Sequence, residues 1–481
     1  MTDVAYYDLV VIGAGSGGLV GARFAAKLGA KVALVEKSRI GGDCTWAGCV
    51  PSKALLKAAK VAHEARTAAR YGVVASIREV DMAAVREYVH AAMQAVYEFE
   101  TPEALAKEGI DAILGAARFL DQSTIIAGDR TIRSKAFLLT TGARPFVPPI
   151  PGLKDAPFVT YEQIFDNDTL PNTMTVVGGG PIGMEMAQAY QRLGSQVTVI
   201  TGSVLPKEEP GVQRLMQGVL EREGVRFILE PAKSARREES AAVITTEHHE
   251  VRGELLLVAV GRRPNVNGLE LERAGVNYSP RCIQVDDRLR TNVKHIYAAG
   301  DVVGGYQFTH YAGWQAFQAV RNALLPGSSS GVTNLVPWVT FTDPEVAHIG
   351  ATEEHARAEE GDRICVHCWD MSKVDRAVCE NDVCGFLKIV SKPDGTILGA
   401  VIIAARAGEA LAELIVAMKH GMKIGDLAGT IHPYPTYSTA VQQMAADIAV
   451  EHFLSGTSGK IVRGLMRVIR KRLNEQRGKP Q

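Results

Sequence analysis

Hydrophobic positions along the chain gather into short, solid apolar runs separated by helical stretches. Asp8-Leu-Val-Val-Ile12 is one such run. It is short and apolar on both faces, which predicts a buried parallel strand. A helical stretch follows to about Leu28, and then a second run, Lys31-Val-Ala-Leu-Val35. The same order returns later: a strand Thr173 to Val177, a helix Met184 to Leu193, and a strand Gln196 to Ile200. Between the two sets, helical patterns run from Ala54 to Arg70, on through Tyr97, and again from Pro102 to Glu108. Short strands are expected at Ala112 to Leu120, Thr124 to Ala127 and Thr131 to Arg133, with Lys135 to Gly142, Leu255 to Val260 and Ile296 to Ala299 after them. From about Asn334 the pattern changes to strands (Phe341 to Gly350, Ile364 to Trp369, Gly385 to Val390, Ala400 to Ile403) followed by helices.

Glycines sit where each repeated unit turns from strand to helix. The first has Gly13-Ala-Gly15-Ser-Gly-Gly18, with Glu36 ending its second strand. This is a dinucleotide fingerprint with its context intact. One glycine allows the turn, one lets the backbone approach a pyrophosphate, and one lets helix pack on strand; the acid accepts a ribose hydroxyl. The second has Gly178-Gly-Gly180-Pro-Ile-Gly183, but Thr201-Gly202-Ser203 stand where the acid belongs. No acid marks NAD there, and no arginine cluster marks NADP. Gly261-Arg-Arg-Pro-Asn265 is expected to leave this second domain, and the proline-rich Pro145 to Pro151 to enter it. The expected fold class is α/β: two Rossmann-like dinucleotide-binding domains plus a C-terminal α+β domain. The expected boundaries are 1–154 with 277–332, 155–276, 333–454, and a tail 455–481.

One stretch carries the candidate chemistry: Gly41-Gly42-Asp43-Cys44-Thr45-Trp46-Ala47-Gly48-Cys49-Val50-Pro51-Ser52-Lys53. On a regular helix, five residues rise roughly 7.5 Å, whereas a disulfide holds its Cα atoms about 4.4–6.8 Å apart. A bonded pair therefore needs irregular backbone, which Gly48 can supply. Pro51 suits a first helical turn, and that places Cys49 near a helix N-terminus, where a thiolate is favoured. Two buried cysteines, or half a zinc site, are the other readings; zinc lacks two further ligands nearby.

Composition adds little beyond this. The 481 residues carry 53 basic and 53 acidic side chains, so no global charge points to nucleic acid or membrane. No apolar run is long enough to span a bilayer. The N-terminus lacks a signal-peptide pattern, and seven cysteines are too few for a secreted disulfide scaffold, so a cytoplasmic enzyme is expected.

Together, two fingerprints, the C-x4-C stretch ending in Pro-Ser-Lys and the Gly300-Asp301 strand end resemble the flavoprotein disulfide reductases, the class of lipoamide dehydrogenase, glutathione reductase and mercuric reductase. The resemblance covers roughly residues 5 to 455. It implies a homodimer with a composite active site, FAD on the first fingerprint and NAD(P)H on the second. It implies that Cys44 attacks the acceptor, that Cys49 lies against the flavin as a thiolate, and that Lys53 sits near the flavin and pairs with Glu185. FAD contacts are expected from Gly13, Gly15, Gly18, Glu36, Gly42, Lys53, Gly142 and Asp301, the last on the ribityl chain. NAD(P) contacts are expected from Gly178, Gly180, Gly183 and Gly261.

The chain departs from the family where most members carry a histidine–glutamate base. Aligning the family's Pro-Thr on Pro435-Thr436 puts Tyr434 in the histidine's place and Thr439 in the glutamate's. A tyrosine is weaker as a base at pH 7 by about 3.5 pKa units, about 5 kcal/mol. His432 is the substitute candidate, or else a structural loop histidine. Tyrosine here resembles mercuric reductases, and the Gly-Asp-Cys-Thr-Trp form of the motif their loosely defined relatives, yet no cysteine follows Cys384. The expected acceptor is a soft metal ion such as Hg(II) or a small disulfide; the alternatives are a dihydrolipoamide dehydrogenase-like enzyme, a redox sensor, or a membrane-docked flavoprotein. Cys365-Val-His-Cys368 lies in an apparent strand that turns residues three apart to opposite faces, so no resident metal is expected. In the tail, Ile461, Leu465, Val468, Ile469 and Leu473 recur at helical spacing among Lys460, Arg463, Arg467, Arg470, Lys471 and Arg472. Such a helix can lie on an anionic membrane, meet a partner, or dock on the protein itself.

Overall fold

A computed structural model describes residues 4–477. It divides into two compact units, Met1–Val336 and Pro337–Gln481.

In the first unit β1 (Val4–Ile12), α1 (Ser16–Lys27) and β2 (Val32–Glu36) form the opening βαβ turn. β1 and β2 run parallel, with Leu9 opposite Val32 and Ile12 opposite Val35. All of β2 and residues 9–12 of β1 are buried. That is what an apolar run becomes when helices cover both faces of a parallel sheet. Two helices follow, α2 (Gly42–Trp46) and α3 (Cys49–Thr67), then α4 (Met82–Tyr97) and α5 (Pro102–Lys107). β3 (Ile110–Leu114) adds to β2; β4 (Ala117–Asp121), β5 (Thr124–Ala127) and β6 (Arg130–Leu139) form a meander beside β1. The strand Ile296–Ala298 returns to pair with β6 and completes a seven-stranded sheet.

Between these parts, β7 (Ala143–Pro145) leads to β8 (Thr173–Val177), α6 (Pro181–Leu193), β9 (Gln196–Ile200), α7 (Pro210–Arg222) and β10 (Arg226–Ile228). An antiparallel trio β11 (Ser234–Glu238), β12 (Ala241–Thr245) and β13 (Glu250–Gly253) follows, then β14 (Leu255–Val258) and β15 (Arg262–Pro264). The order β10-β9-β8-β14 is a second parallel sheet. β7 and β15 pair antiparallel, so the chain enters and leaves this region through one ribbon.

The second unit holds a five-stranded sheet in the order Trp338–Thr340, Glu345–Gly350, Ile397–Ala404, Phe386–Ser391, Cys365–Asp370. The helices Ala407–Lys419 and Thr439–Ser455 contribute Leu411, Leu414, Val441 and Met444 to its core. A last helix spans Thr457–Arg477. Among the described residues no helix is long and apolar enough to cross a membrane.

Several expected elements differ. The helix expected from Ala54 starts at Cys49. The helical pattern does not run unbroken to Tyr97: Gly72 closes the preceding turn in a left-handed conformation, and Asp81 caps α4 by accepting from the Ala84 amide. The strand expected over Ala112 to Leu120 breaks in two at Gly115, where a Cβ would lie 2.6 Å from the Gly128 nitrogen. Thr131 to Arg133 and the start of Lys135 to Gly142 are one strand, β6. Phe341 to Gly350 is interrupted before Glu345, where Pro344 has no ladder donor.

Candidate redox site

The turn around the cysteines is built by a helix that stops and restarts. In α2 the Ala47 amide bonds the Asp43 carbonyl at 2.9 Å. Ala47 and Gly48 then leave helical geometry, and α3 begins at Cys49. A Cβ on Gly48 would lie 2.7 Å from the Asp43 carbonyl oxygen, so only glycine fits the break without a shift. The break brings the Cys44 and Cys49 side chains into mutual hydrogen-bonding contact, as unbonded thiols in this structure.

The two sulfurs divide the acid–base work. Hydrogen bonding from Cys44 holds Cys49 down to about 6, against its burial, with help from Thr309 and the Lys53 charge. Cys44 is pushed up, first by that same shared bond and then by burial. Cys49 Sγ lies 3.2 Å from Thr309 Oγ1 and keeps open surface on its other side. The two shifts favour keeping a shared proton on Cys44 and the charge on Cys49, which is the first residue of a helix with no side-chain cap.

Lys53 stands one helical turn beyond Cys49, on the same face. Its Nζ donates to Glu185 at 3.0 Å and to Ser52 Oγ at 3.2 Å. Glu185 is buried in α6. The pair therefore joins the helix after the redox turn to the helix of the second fingerprint; its lysine favours a thiolate at Cys49 and its glutamate opposes one.

Both fingerprint loops fit a dinucleotide. Cβ atoms on Gly18 and Gly183 would lie 1.9 and 2.1 Å from the carbonyl oxygens of Gly13 and Gly178, so each helix packs directly on its loop. Neither α1, capped by Gly15, nor α6, capped by Gly180, has a side-chain cap. Their first-turn amides are left for a phosphate. Space is open above Gly142, Gly180 and Gly261. Gly42 faces Gly15 backbone to backbone, where a Cβ would come within 2.7 Å. Glu36 is held by the amides of Ala14 at 2.8 Å and Ser38 at 2.9 Å, leaving acceptor capacity for ribose hydroxyls.

Asp301 has a partner that sequence reasoning missed. Arg262 Nη1 contacts its carboxylate at 2.7 Å, and Arg262 also contacts Asp43 beside Cys44. Burial pushes Asp301 up and Asp43 adds to this, while Arg262 opposes both. The available signal was an acid inside the redox motif and an arginine directly after Gly261. Thr309 carried no signal, because only the fold brings it to Cys49.

Residues 7–316 match the pyridine nucleotide-disulphide oxidoreductase family, and residues 336–445 match that family's dimerisation domain. The chain belongs to this family. A mercuric reductase of Bacillus cereus is 33% identical over 449 residues, covering 91% of this chain and 70% of that protein. A dihydrolipoyl dehydrogenase of Haloferax volcanii is 36% identical over 460 residues, covering 91% and 95%. The HOCl-induced flavoprotein disulfide reductase RclA of Escherichia coli superposes with a TM-score of 0.83 at 29% identity, over 92% of this chain and 99% of that one; its Cu(II) complex superposes with 0.84. The protein is an oxidoreductase, and the family uses FAD and NAD(P)H. FAD and the nicotinamide nucleotide supply hydride and electron transfer when bound.

The family's dimerisation domain contains the segment that departs from the common pattern. His432 Nε2 lies 2.8 and 2.9 Å from the two Glu413 oxygens, and Nδ1 lies 3.0 Å from the Thr430 carbonyl. Carboxylate and carbonyl only accept, so both contacts are hydrogen bonds when both ring nitrogens carry hydrogen. Burial works against this charge, but Glu413 and Thr430 outweigh it and raise the pKa. The geometry and the raised pKa both favour the protonated ring, and a ring donating at both nitrogens has no lone pair to take a proton. Tyr434 is 70% exposed and donates to Asp375. That bond raises its pKa, making it a still poorer base at neutral pH. Thr439 is buried and bonds the Thr436 carbonyl. His432 and Tyr434 thus take separate partners, Glu413 and Asp375. Cys365 and Cys368 do lie on one strand, and the described residues include no cluster of three His, Cys, Asp or Glu suited to a metal.

Proposed function

We propose that the protein passes two electrons from NAD(P)H, through FAD and the Cys44/Cys49 pair, to a thiophilic metal ion of the Hg(II) kind. The observation that carries this reading is the state of His432 and Tyr434. A dithiol–disulfide enzyme needs a base to take the proton of an incoming thiol. The segment where the family keeps that base offers an imidazolium and a phenol. A metal ion needs no such base; it needs two soft sulfur ligands. Among the relatives, proteins named mercuric reductase and an RclA solved as a Cu(II) complex support this choice.

In this reading Cys49 is the thiolate against the flavin and Cys44 meets the acceptor. Lys53, fixed by Glu185, holds the thiolate's charge. Tyr434 of one subunit lies at the metal's approach to the other, and His432 is a structural loop residue. Overall, NAD(P)H and Hg(II) give NAD(P)+, one proton and Hg(0). The first fingerprint, with Gly142 and Asp301, takes FAD within 1–154 and 277–332; the second, with Gly261, takes NAD(P) within 155–276. Residues 333–454 complete the partner's site in a cytoplasmic homodimer.

The helix Thr457–Arg477 is assigned to an anionic membrane surface. Between 457 and 477 the chain carries seven bases and one acid. Ile461, Leu465, Met466, Val468 and Ile469 are exposed on one arc, and Lys460, Arg463, Arg467, Arg470 and Lys471 lie on the other. The side chain of Leu473 lies outside the described residues. A second copy would bring like charges together, which disfavours self-pairing.

The test is anaerobic NADH and NADPH consumption with Hg(II) in excess thiol, Cu(II) and lipoamide in parallel. Metal turnover without lipoamide turnover is expected. In Cys44→Ser, reduction of the flavin by NAD(P)H should persist while metal turnover is lost. Fast lipoamide turnover by the unaltered enzyme sinks the metal reading.

A further inference from the structure

Arg262 is the first residue of β15, and all three of its guanidinium nitrogens are engaged by three distant stretches of chain. Nη2 contacts the Asp43 carboxylate, Nη1 contacts Asp301 at 2.7 Å, and Nε donates to the Tyr161 hydroxyl at 3.1 Å. Tyr161 itself donates to the same Asp43 oxygen at 3.1 Å. The guanidinium and the Asp301 carboxylate are largely buried and Asp43 is partly exposed; the fixed fork of the guanidinium makes the arrangement geometrically demanding. Asp43 precedes Cys44 directly and belongs to a helix of only five residues, α2. A turn that short does not hold itself. Thr45 and Trp46 tie its far side to Glu100 and to the Ile40 carbonyl. On Cys44's other neighbour, Asp43, the described tether is Arg262 with Tyr161.

The other end of this contact reaches the second fingerprint. The Ala259 amide bonds the Val177 carbonyl at 2.8 Å. A Cβ on Gly178 would lie 2.3 Å from the Ala259 carbonyl oxygen, so the fingerprint backbone rests on the residue three before Arg262. A continuous path of covalent bonds and direct contacts therefore runs from Gly178 through Ala259, Gly261 and Arg262 to Asp43 and Cys44.

We propose that Asp43 and Arg262 are positioning residues that transmit occupancy of the second dinucleotide site to Cys44, the acceptor-facing thiol. The proposal rests on NAD(P) binding at that fingerprint. Coupling between linked sites is typically about 5- to 150-fold, and chains of packed side chains and hydrogen bonds such as this path are one means of carrying it.

The experiment takes the Cys49→Ser holoenzyme as its parent protein, so that Cys44 is a single free thiol that can neither form the disulfide nor pass electrons to the nucleotide. Iodoacetamide labelling of Cys44 is followed by peptide mass spectrometry, with and without saturating NAD+ or NADP+, and nucleotide affinity is measured separately by calorimetry. In the parent protein the bound nucleotide should change the Cys44 labelling rate at least about fivefold. With Asp43→Asn added, which keeps shape but loses charge, that response should vanish while FAD content and nucleotide affinity stay within twofold. Tyr161→Phe, which removes only the second bond to Asp43, should give an intermediate response. A cluster that merely stabilises the fold would lower the melting temperature and leave the nucleotide response intact. No response in the parent protein, or a full response with Asp43→Asn, overturns the proposal. Absence of binding by both nucleotides would instead fail the assignment of the second fingerprint, and the proposal with it.

Discussion

At the scale of single residues, the site is governed by which group keeps a proton. Cys49 is a thiolate above about pH 6, and the Lys53 charge is one of the causes. In Lys53→Met the midpoint for alkylating Cys49 should move upward; in Glu185→Gln it should move downward, because Glu185 opposes the thiolate. Iodoacetamide rates against pH check both directions, and a shift of the same sign in the two variants would contradict this electrostatic account. His432 behaves oppositely. Its raised pKa means that the ion pair with Glu413 stabilises the fold fully below the ordinary histidine value, and that this contribution is lost as pH rises through the raised one. Glu413→Gln should therefore cost about 2 kcal/mol of stability near pH 6 and much less at pH 9. Urea unfolding at the two pH values measures this; metal turnover at pH 7 should remain within threefold. His432 was visible in the sequence as a candidate base, but its state was not. That state depends on Glu413, nineteen residues earlier on the helix Ala407–Lys419, and pairing at that range leaves no trace in local spacing.

At the scale of elements, the decisive feature is the interruption between α2 and α3. Gly48→Ala forces a Cβ to within 2.7 Å of a backbone oxygen, which cannot swing aside as a side chain could. Acceptor turnover should fall more than about tenfold while FAD content is retained, because the cysteines lose their register rather than the fold its core. Peptide mapping of the oxidised protein should show the Cys44–Cys49 bond depleted; a normal bond would refute this view of Gly48. Elements driven by burial alone were legible. Thr173–Val177 and Gln196–Ile200 occur where their apolar runs place them. The breaks were harder to see. The stretch from Gly72 to Asp81 lies in an alanine-rich surrounding whose composition favours helix, and only Gly72 and the Asp81 cap end it. The split at Gly115 depends on Gly128, a cross-strand neighbour rather than a sequence neighbour.

At the scale of the whole molecule, the terminal helix and the dimerisation domain present surfaces whose use the redox chemistry does not explain. Removing residues 456–481 should leave turnover with dissolved metal unchanged and abolish co-flotation with vesicles rich in phosphatidylglycerol. Neutral phosphatidylcholine vesicles should not bind either form; equal binding of both forms to anionic vesicles would refute the lipid assignment. In the second unit Ile431, Val416 and Val378 are also exposed, which fits a face that a second subunit covers. The two-stranded ribbon has a different consequence. Arg262 lies opposite Pro145 and Pro264 opposite Ala143, so the two crossing points of the chain are neighbours in space. Everything between Phe146 and Gly261 is consequently a loop-out stitched shut at its base. Such a segment can be exchanged as a cassette for that of a relative with another coenzyme preference, with two splice points, provided that the incoming segment keeps a tyrosine for Tyr161 and a glutamate for Glu185, while Arg262 and its contacts to Asp43 and Asp301 remain with the recipient.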